Sequence, residues 1–131
     1  MASGTPRGRK FGNTPTSYGD VVYPSKLQAS RAAELDLLLA TGQIGDWRDG
    51  TRWTLLEPYI DPLGKKWRKV VYIPDFEVWR AGRTREFAPP DWLEDTKGVK
   101  TAAFVLKQAL MARVHPTTPL VLVTKDGVQP R

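Results

Sequence analysis

The sequence predicts an α/β domain whose elements run helix, three strands, helix, strand. Three observations carry this. A leucine-rich segment with helical spacing lies between Ser25 and Gly42. Two β-rich runs, Trp53 to Ile60 and Trp67 to Arg80, flank the tight-turn sequence Asp61-Pro62-Leu63-Gly64. A second amphipathic stretch, Thr101 to Val114, is followed by the nearly all-apolar run Pro119 to Thr124. The 131 residues suit one domain with one modest core. We divide the chain into a flexible basic arm, residues 1–17, and a single domain, residues 18–131.

The arm is rich in Gly, Ser, Thr and Pro and carries Arg7, Arg9 and Lys10. Such a segment buries little apolar surface. It reads either as a frayed terminus or as an arm that lies on a phosphate backbone. The first helix spans Ser25 to Thr41, with Ser25 as N-cap, Gln28 completing a capping-box pattern and Gly42 as the stop. Its expected inward stripe is Leu27, Leu35, Leu38 and Leu39. Glu34 falls on or beside that stripe, where it either pairs with an arginine such as Arg31 or faces a metal site.

Residues Gln43 to Arg52 read as a turn region. The runs 53–60 and 67–80 form a hairpin, and Val71, Ile73, Asp75, Glu77 and Trp79 are expected on one face of its second strand. Pro74 inside that strand points to an edge or a bulge. Ala81-Gly82-Arg83 turns the chain, and Glu86 to Lys97 is the third strand, interrupted by Pro89-Pro90. In the second helix Ala102, Val105, Leu106, Ala109 and Leu110 are expected inward, and Pro119 to Thr124 is a buried strand.

Composition narrows the chemistry. The chain has no Cys and one His, His115, so thiol catalysis, disulfides and a thiolate zinc site are excluded. A Ser-His-Asp triad would have to use His115, beside Pro116 at a helix end. Any metal is then a hard cation on oxygen ligands. There is no apolar run of about 18 residues, which excludes a membrane span. The basic start is not followed by an apolar segment, so a cytoplasmic protein is expected. The formal net charge of +6 favours a polyanionic partner. Candidate phosphate contacts are Lys10, Lys65, Lys66, Arg68, Lys69, Arg80, Arg83 and Arg85. A single Asn, no Cys and abundant Arg and Pro fit a thermophilic origin.

Asp95 and Lys97 are two apart, so on a strand they share a face, about 6.5–7 Å apart along the chain. Glu94 should point the other way. If the strands carrying Asp75 and Asp95 pair, Asp75, Asp95 and Lys97 converge, and Glu34 from the first helix could add a third carboxylate. Two or three carboxylates hold Mg²⁺ with positions left for water and phosphate. Taken alone, the same residues also make salt bridges on a solvated sheet face, because acid-x-Lys is a common spacing.

The combination is more specific. Tyr72-Ile73-Pro74-Asp75-Phe76, then Glu94-Asp95-Thr96-Lys97-Gly98 and a helix, resembles the PD-(D/E)XK nuclease superfamily. It looks especially like a phage family of that fold related to archaeal-type Holliday junction resolvases. The likeness begins at Lys10-Phe11-Gly12-Asn13 and passes through Ser25-Lys26. It implies a restriction-endonuclease-like core with a mixed central sheet, and makes Asp75 and Asp95 metal ligands and Lys97 the catalytic lysine. It also implies a Glu from the first helix, where this chain has Gln28. We assign that role to Glu34, with Gln28 as the other possible helix ligand.

The resemblance further implies a homodimer that uses Mg²⁺, with Mn²⁺ substituting, to nick opposing strands of a four-way DNA junction, in the host cytoplasm if phage-encoded. Two alternatives stay open: a related endonuclease of other branched or duplex DNA, and a non-catalytic DNA-binding or host-interaction protein on a decayed nuclease fold. Of Trp47, Trp53, Trp67, Trp79 and Trp92, most are expected in the core or a dimer interface. One stacking on an unpaired base is the minority reading.

Overall fold

A computed structural model describes residues 14–129. The sequence around Lys10, and the expected arm up to residue 13, lie outside the described residues. The arm's expected end at residue 17 shifts, because strand β1 (Thr16–Tyr18) pairs antiparallel with β2 (Val21–Tyr23). Helix α1 (Lys26–Ala40) follows, capped by Ser25, whose Oγ accepts from the Gln28 N–H.

The main sheet has five strands in the spatial order β11-β10-β9-β8-β3. Its members are β3 (Ile44–Asp49), β8 (Phe76–Arg80), β9 (Trp92–Thr96), β10 (Leu120–Thr124) and β11 (Gly127–Val128). β3 and β9 each run antiparallel to β8, β10 lies parallel to β9, and β11 runs antiparallel to β10. A parallel pair needs a long crossover, which helix α2 (Ala102–Val114) supplies. The sheet is therefore mixed, and the domain is α/β. Among the described residues no helix is long and apolar enough to cross a membrane.

The first strand of the sheet is β3, inside the segment expected to be a turn. Its alternation is masked by polar residues that the fold satisfies. Arg85 pairs with Asp46 at 2.8 Å, and Arg48 with Glu77 at 2.8 Å. The expected hairpin exists only over residues 53–72, apart from the main sheet, while residues 76–80 of its expected second strand join the main sheet as β8. It comprises β4 (Trp53–Leu56), β5 (Tyr59–Ile60), β6 (Lys66–Trp67) and β7 (Val70–Tyr72), with β4 paired to β7 and β5 to β6. Pro58 separates β4 from β5, and Pro74 separates β7 from β8, as the missing N–H of proline requires. Ile73 is exposed at that break, so the predicted continuous face from Val71 to Trp79 is interrupted. The third strand is shorter than expected, starting only at Trp92, after Pro89-Pro90.

Two apolar clusters sandwich the sheet. Ala29, Ala32 and Leu35 of α1 pack with Tyr23, Ile44, Phe76 and Val78 on one face. Phe104 and Met111 of α2 pack with Leu55, Tyr72, Leu93, Leu120 and Leu122 on the other. The helix faces differ from expectation. Small Ala29 and Ala32 bring α1 close to the sheet, and Leu39 is left 39% exposed. α2 is apolar nearly all round, so periodicity does not select a face. Its bulkiest side chains, Phe104 and Met111, seven residues apart, take the interior and leave Val105 and Leu106 exposed.

Arg31 is buried on the α1 face and makes a two-pronged bond to the fully buried Glu94 of β9, both contacts at 2.7 Å. Trp92 Nε1 also donates to Glu94 at 2.9 Å. Removing one partner leaves a buried charge uncompensated. We expect Arg31→Ala to lower stability by about 3–5 kcal/mol in urea titrations. The double change Arg31→Met with Glu94→Leu should recover most of that loss.

Candidate active site

β9 ends the sheet with alternating faces, and this alternation builds the site. Leu93 and Asp95 point toward the α2 side and Glu94 points the other way, as expected; the face that Glu94 enters is the one covered by α1. Asp75 sits just before β8. Its backbone N–H donates to Glu94 O at 2.9 Å, and its carbonyl accepts from Gly50 N at 3.1 Å. A Cβ on Gly50 would come within 1.8 Å of the Pro74 carbonyl oxygen, so only glycine allows this approach. The Asp75 segment is thus clamped between β3 and β9.

The Asp75 carboxylate accepts two bonds from Thr96, from N at 2.7 Å and from Oγ1 at 2.8 Å. Asp95 is buried, and its Oδ2 lies 3.6 Å from Lys97 Nζ. The Lys97 side chain is about one-third exposed. Burial first, and the facing Asp95 carboxylate second, push Asp75 up to about 7, against a partial offset from the two Thr96 bonds. Tyr72 is buried next to this pair. Its hydroxyl has no well-formed hydrogen bond, and burial together with the nearby Asp95 and Asp75 carboxylates raises its pKa. Asp75, Asp95 and Lys97 are therefore brought together.

Asp75 and Lys97 line a cleft of about 700 Å³ with Ser25, Gln28, Thr96 and Thr101, among others, and Asp95 is buried beside them. Ser25 and Thr101 are the N-caps of α1 and α2, so both helices direct their N-terminal ends to one opening. Gln28 stands in the cleft wall. Glu34 does not reach it. Its side chain is 62% exposed and touches Arg31 at 3.5 Å. Of the two expectations for Glu34, the pairing with Arg31 is the one seen and the third carboxylate is not, because α1 covers the Glu94 face and the sheet separates Glu34 from the Asp95 face. Among the described residues no group of three His, Asp or Glu side chains gathers into a metal cage. Asp75 and the Gln28 amide in the cleft wall, with Asp95 buried beside Asp75, still suit Mg²⁺, which commonly takes one or two protein carboxylates and completes its shell with water and phosphate.

The basic residues divide. Lys65, Lys66, Arg68 and Lys69 are exposed on the β5–β6 end of the hairpin. Arg83 and Arg85 are drawn into the fold by Asp91 at 3.0 Å and Asp46 at 2.8 Å, and Arg80 is exposed. His115 caps α2, contacts Thr54 O at 2.8 Å and packs edge-on against Trp53, a structural role. Sequence reasoning missed Tyr72 and Thr96. Thr96 carried a signal, since the middle residue of Asp-x-Lys has its N–H at the sheet end. Tyr72 had only its proximity to Pro74-Asp75.

An acid whose folded pKa is raised holds its proton more tightly when folded, so its contribution is most favourable below about pH 4 and is lost as pH rises through about 7. In the absence of divalent metal, we expect Asp75→Asn to stabilise the protein at pH 8 by roughly 1–3 kcal/mol and to change little at pH 4. Urea unfolding at the two pH values checks this.

No curated protein and no solved structure matches the chain. A family model described as "Protein of unknown function (DUF1064)" matches residues 9–126, a span that includes both helices, the clamped Asp75 segment and the Asp95-Thr96-Lys97 strand end. The chain belongs to the DUF1064 family.

Proposed function

We propose that this protein is a metal-dependent endonuclease of branched DNA, acting as a homodimer that nicks opposing strands of a four-way junction. The observation that carries the reading is the convergence of Asp75, Asp95 and Lys97 at a cleft flanked by two helix N-termini. The chain order α1, β3, β8, β9, α2, β10 supports a restriction-endonuclease-like core, with the β4–β7 hairpin as an excursion between its first two strands.

In this reading Asp75 and Asp95 hold Mg²⁺, for which Mn²⁺ substitutes. When bound, the ion lowers the pKa of a coordinated water and offsets charge on the phosphate. Thr96 fixes the Asp75 carboxylate, and Asp95 restrains the Lys97 ammonium. Lys97 donates to the attacking water or to a phosphate oxygen as negative charge develops. The N-terminal ends of α1 and α2 favour an anion in the cleft. The exposed lysines and arginines of the hairpin hold flanking phosphates, which position the substrate without reading sequence. One site cuts one strand, so paired nicks need two copies about a twofold axis.

One observation favours a second reading. Gln28 stands in the cleft wall where a third carboxylate would complete the ligand set, which suits a DNA-binding protein that has lost catalysis.

The test uses a labelled four-way junction and a matched linear duplex, each with Mg²⁺, Mn²⁺ or EDTA. We expect metal-dependent paired nicks in the junction and an intact duplex. Asp75→Asn and Lys97→Ala should each slow cutting at least about 100-fold, with junction binding retained. Glu34→Gln should stay within about twofold, because that carboxylate lies away from the cleft. Equal cutting of both DNAs would remove the junction preference. Tight junction binding without cutting in either metal would establish the second reading.

A further inference from the structure

The β5–β6 end of the hairpin is exposed on a scale that folding does not explain. β5 and β6 form their own two-stranded sheet, paired only with each other among the described residues. Tyr59, Ile60, Leu63 and Trp67 are 47%, 64%, 94% and 43% exposed. An apolar cluster of this kind on a projecting element marks an interaction surface.

Its construction is specific. Tyr59 and Trp67 are cross-strand partners, and their rings lie 6.4 Å apart and within 15° of parallel. Asp61 accepts from Leu63 N, Lys65 N and Trp67 Nε1, all at 2.9 Å. The one acid of the turn therefore shapes the loop and locks the indole. Gly64 completes the turn at φ 85°. Lys65 Nζ lies 4.1 Å from the Trp67 ring centre. Among the described residues, Lys65, Lys66, Arg68 and Lys69 form no ion pair with an acid. The tip therefore offers a pre-oriented pair of aromatic rings with Lys65 over one of them and three further exposed cations nearby in the chain.

We propose that Tyr59 and Trp67 form a stacking platform for unpaired nucleobases, with Lys65, Lys66, Arg68 and Lys69 holding the adjoining phosphates. Base faces stack on aromatic side chains without regard to sequence, and cations track the backbone. In an intact duplex those faces are covered by neighbouring base pairs, so the platform engages bases left unpaired or unstacked, as in a single strand or at an open branch point. An arriving base displaces the Lys65 ammonium from the indole and leaves it to pair with phosphate. The proposal rests on the reading of DNA as the substrate, and it names the feature of a branch that the protein recognises: exposed bases rather than helix geometry.

The test measures binding by fluorescence anisotropy, with the full chain carrying Asp75→Asn so that no DNA is cut. The probes are a labelled single strand, the matched duplex and a four-way junction. We expect the added pair Tyr59→Ala and Trp67→Ala to weaken single-strand binding about 10–100-fold and to leave duplex binding within about twofold. Tyr59→Phe with Trp67→Phe should retain single-strand binding within about threefold, since a ring face remains. Replacing Lys65, Lys66, Arg68 and Lys69 with Gln should weaken all three probes and flatten their salt dependence. The side chains lie outside both cores, so an unchanged urea midpoint controls for folding.

Equal losses on duplex and single strand, or no loss on either, would overturn the platform while junction binding by the parent protein left the nuclease reading standing. A parent that bound none of the three DNAs would overturn both. Binding to vesicles with anionic lipid that depended on the two rings, with DNA binding independent of them, would replace the platform with a membrane contact.

Discussion

The buried Arg31–Glu94 pair decides how this molecule is assembled. A carboxylate in the middle of the central strand must be neutralised, and α1 supplies the guanidinium that does so. That bond fixes which face of the sheet α1 covers and at what height. Because side chains alternate along β9, committing Glu94 to α1 commits Asp95 to the other side, with Tyr72 and the α2 cluster. One ion pair thus settles both the packing of the first helix and the direction in which the neighbouring acid points. The two adjacent acids of β9 divide the labour: one ties the fold together and one is buried against Asp75 and Lys97 of the candidate site.

The cleft itself is unfavourable to folding. Two carboxylates face each other with a single lysine for compensation, and a tyrosine hydroxyl is buried alongside without a well-formed partner. The surrounding structure holds this arrangement in place. Thr96 grips Asp75, Gly50 lets its backbone approach β3, and the β9–β10 ladder secures the strand end. Groups concentrated against their mutual repulsion are a common mark of a working site, since a stability-driven sequence would replace one acid with an apolar residue.

Much of this was legible in the chain because it is local. Ser25 announces its helix by capping chemistry, the turn at Asp61–Gly64 follows from its residue types, and the period-two rule separates Asp95 from Glu94. What was not legible depends on distant partners. β3 reads as a turn because Asp46 and Arg48 look solvated, and only Arg85 and Glu77, far along the chain, make them strand residues. The face of α1 was misjudged for a related reason. The sequence puts Glu34 on or beside the buried stripe, paired with Arg31 or facing a metal; the pairing is there at 3.5 Å, but the buried partner is the arginine, held by a carboxylate sixty-three positions away. On α2, apolar residues on every side gave no period from which to choose.

The Gly50–Asp75 hydrogen bond closes the chain into a loop whose two ends meet beside the candidate site. Everything between those residues leaves the sheet and returns to the same place. Only its root, through Leu55 and Tyr72, enters a core. The outer part can therefore be lengthened, shortened or exchanged for another segment without altering the register of the main sheet. In such a design, lineages sharing one candidate site could diversify in what they grip by rewriting a short stretch of sequence. A grafted tip would be the natural starting point for redirecting the protein to a new target.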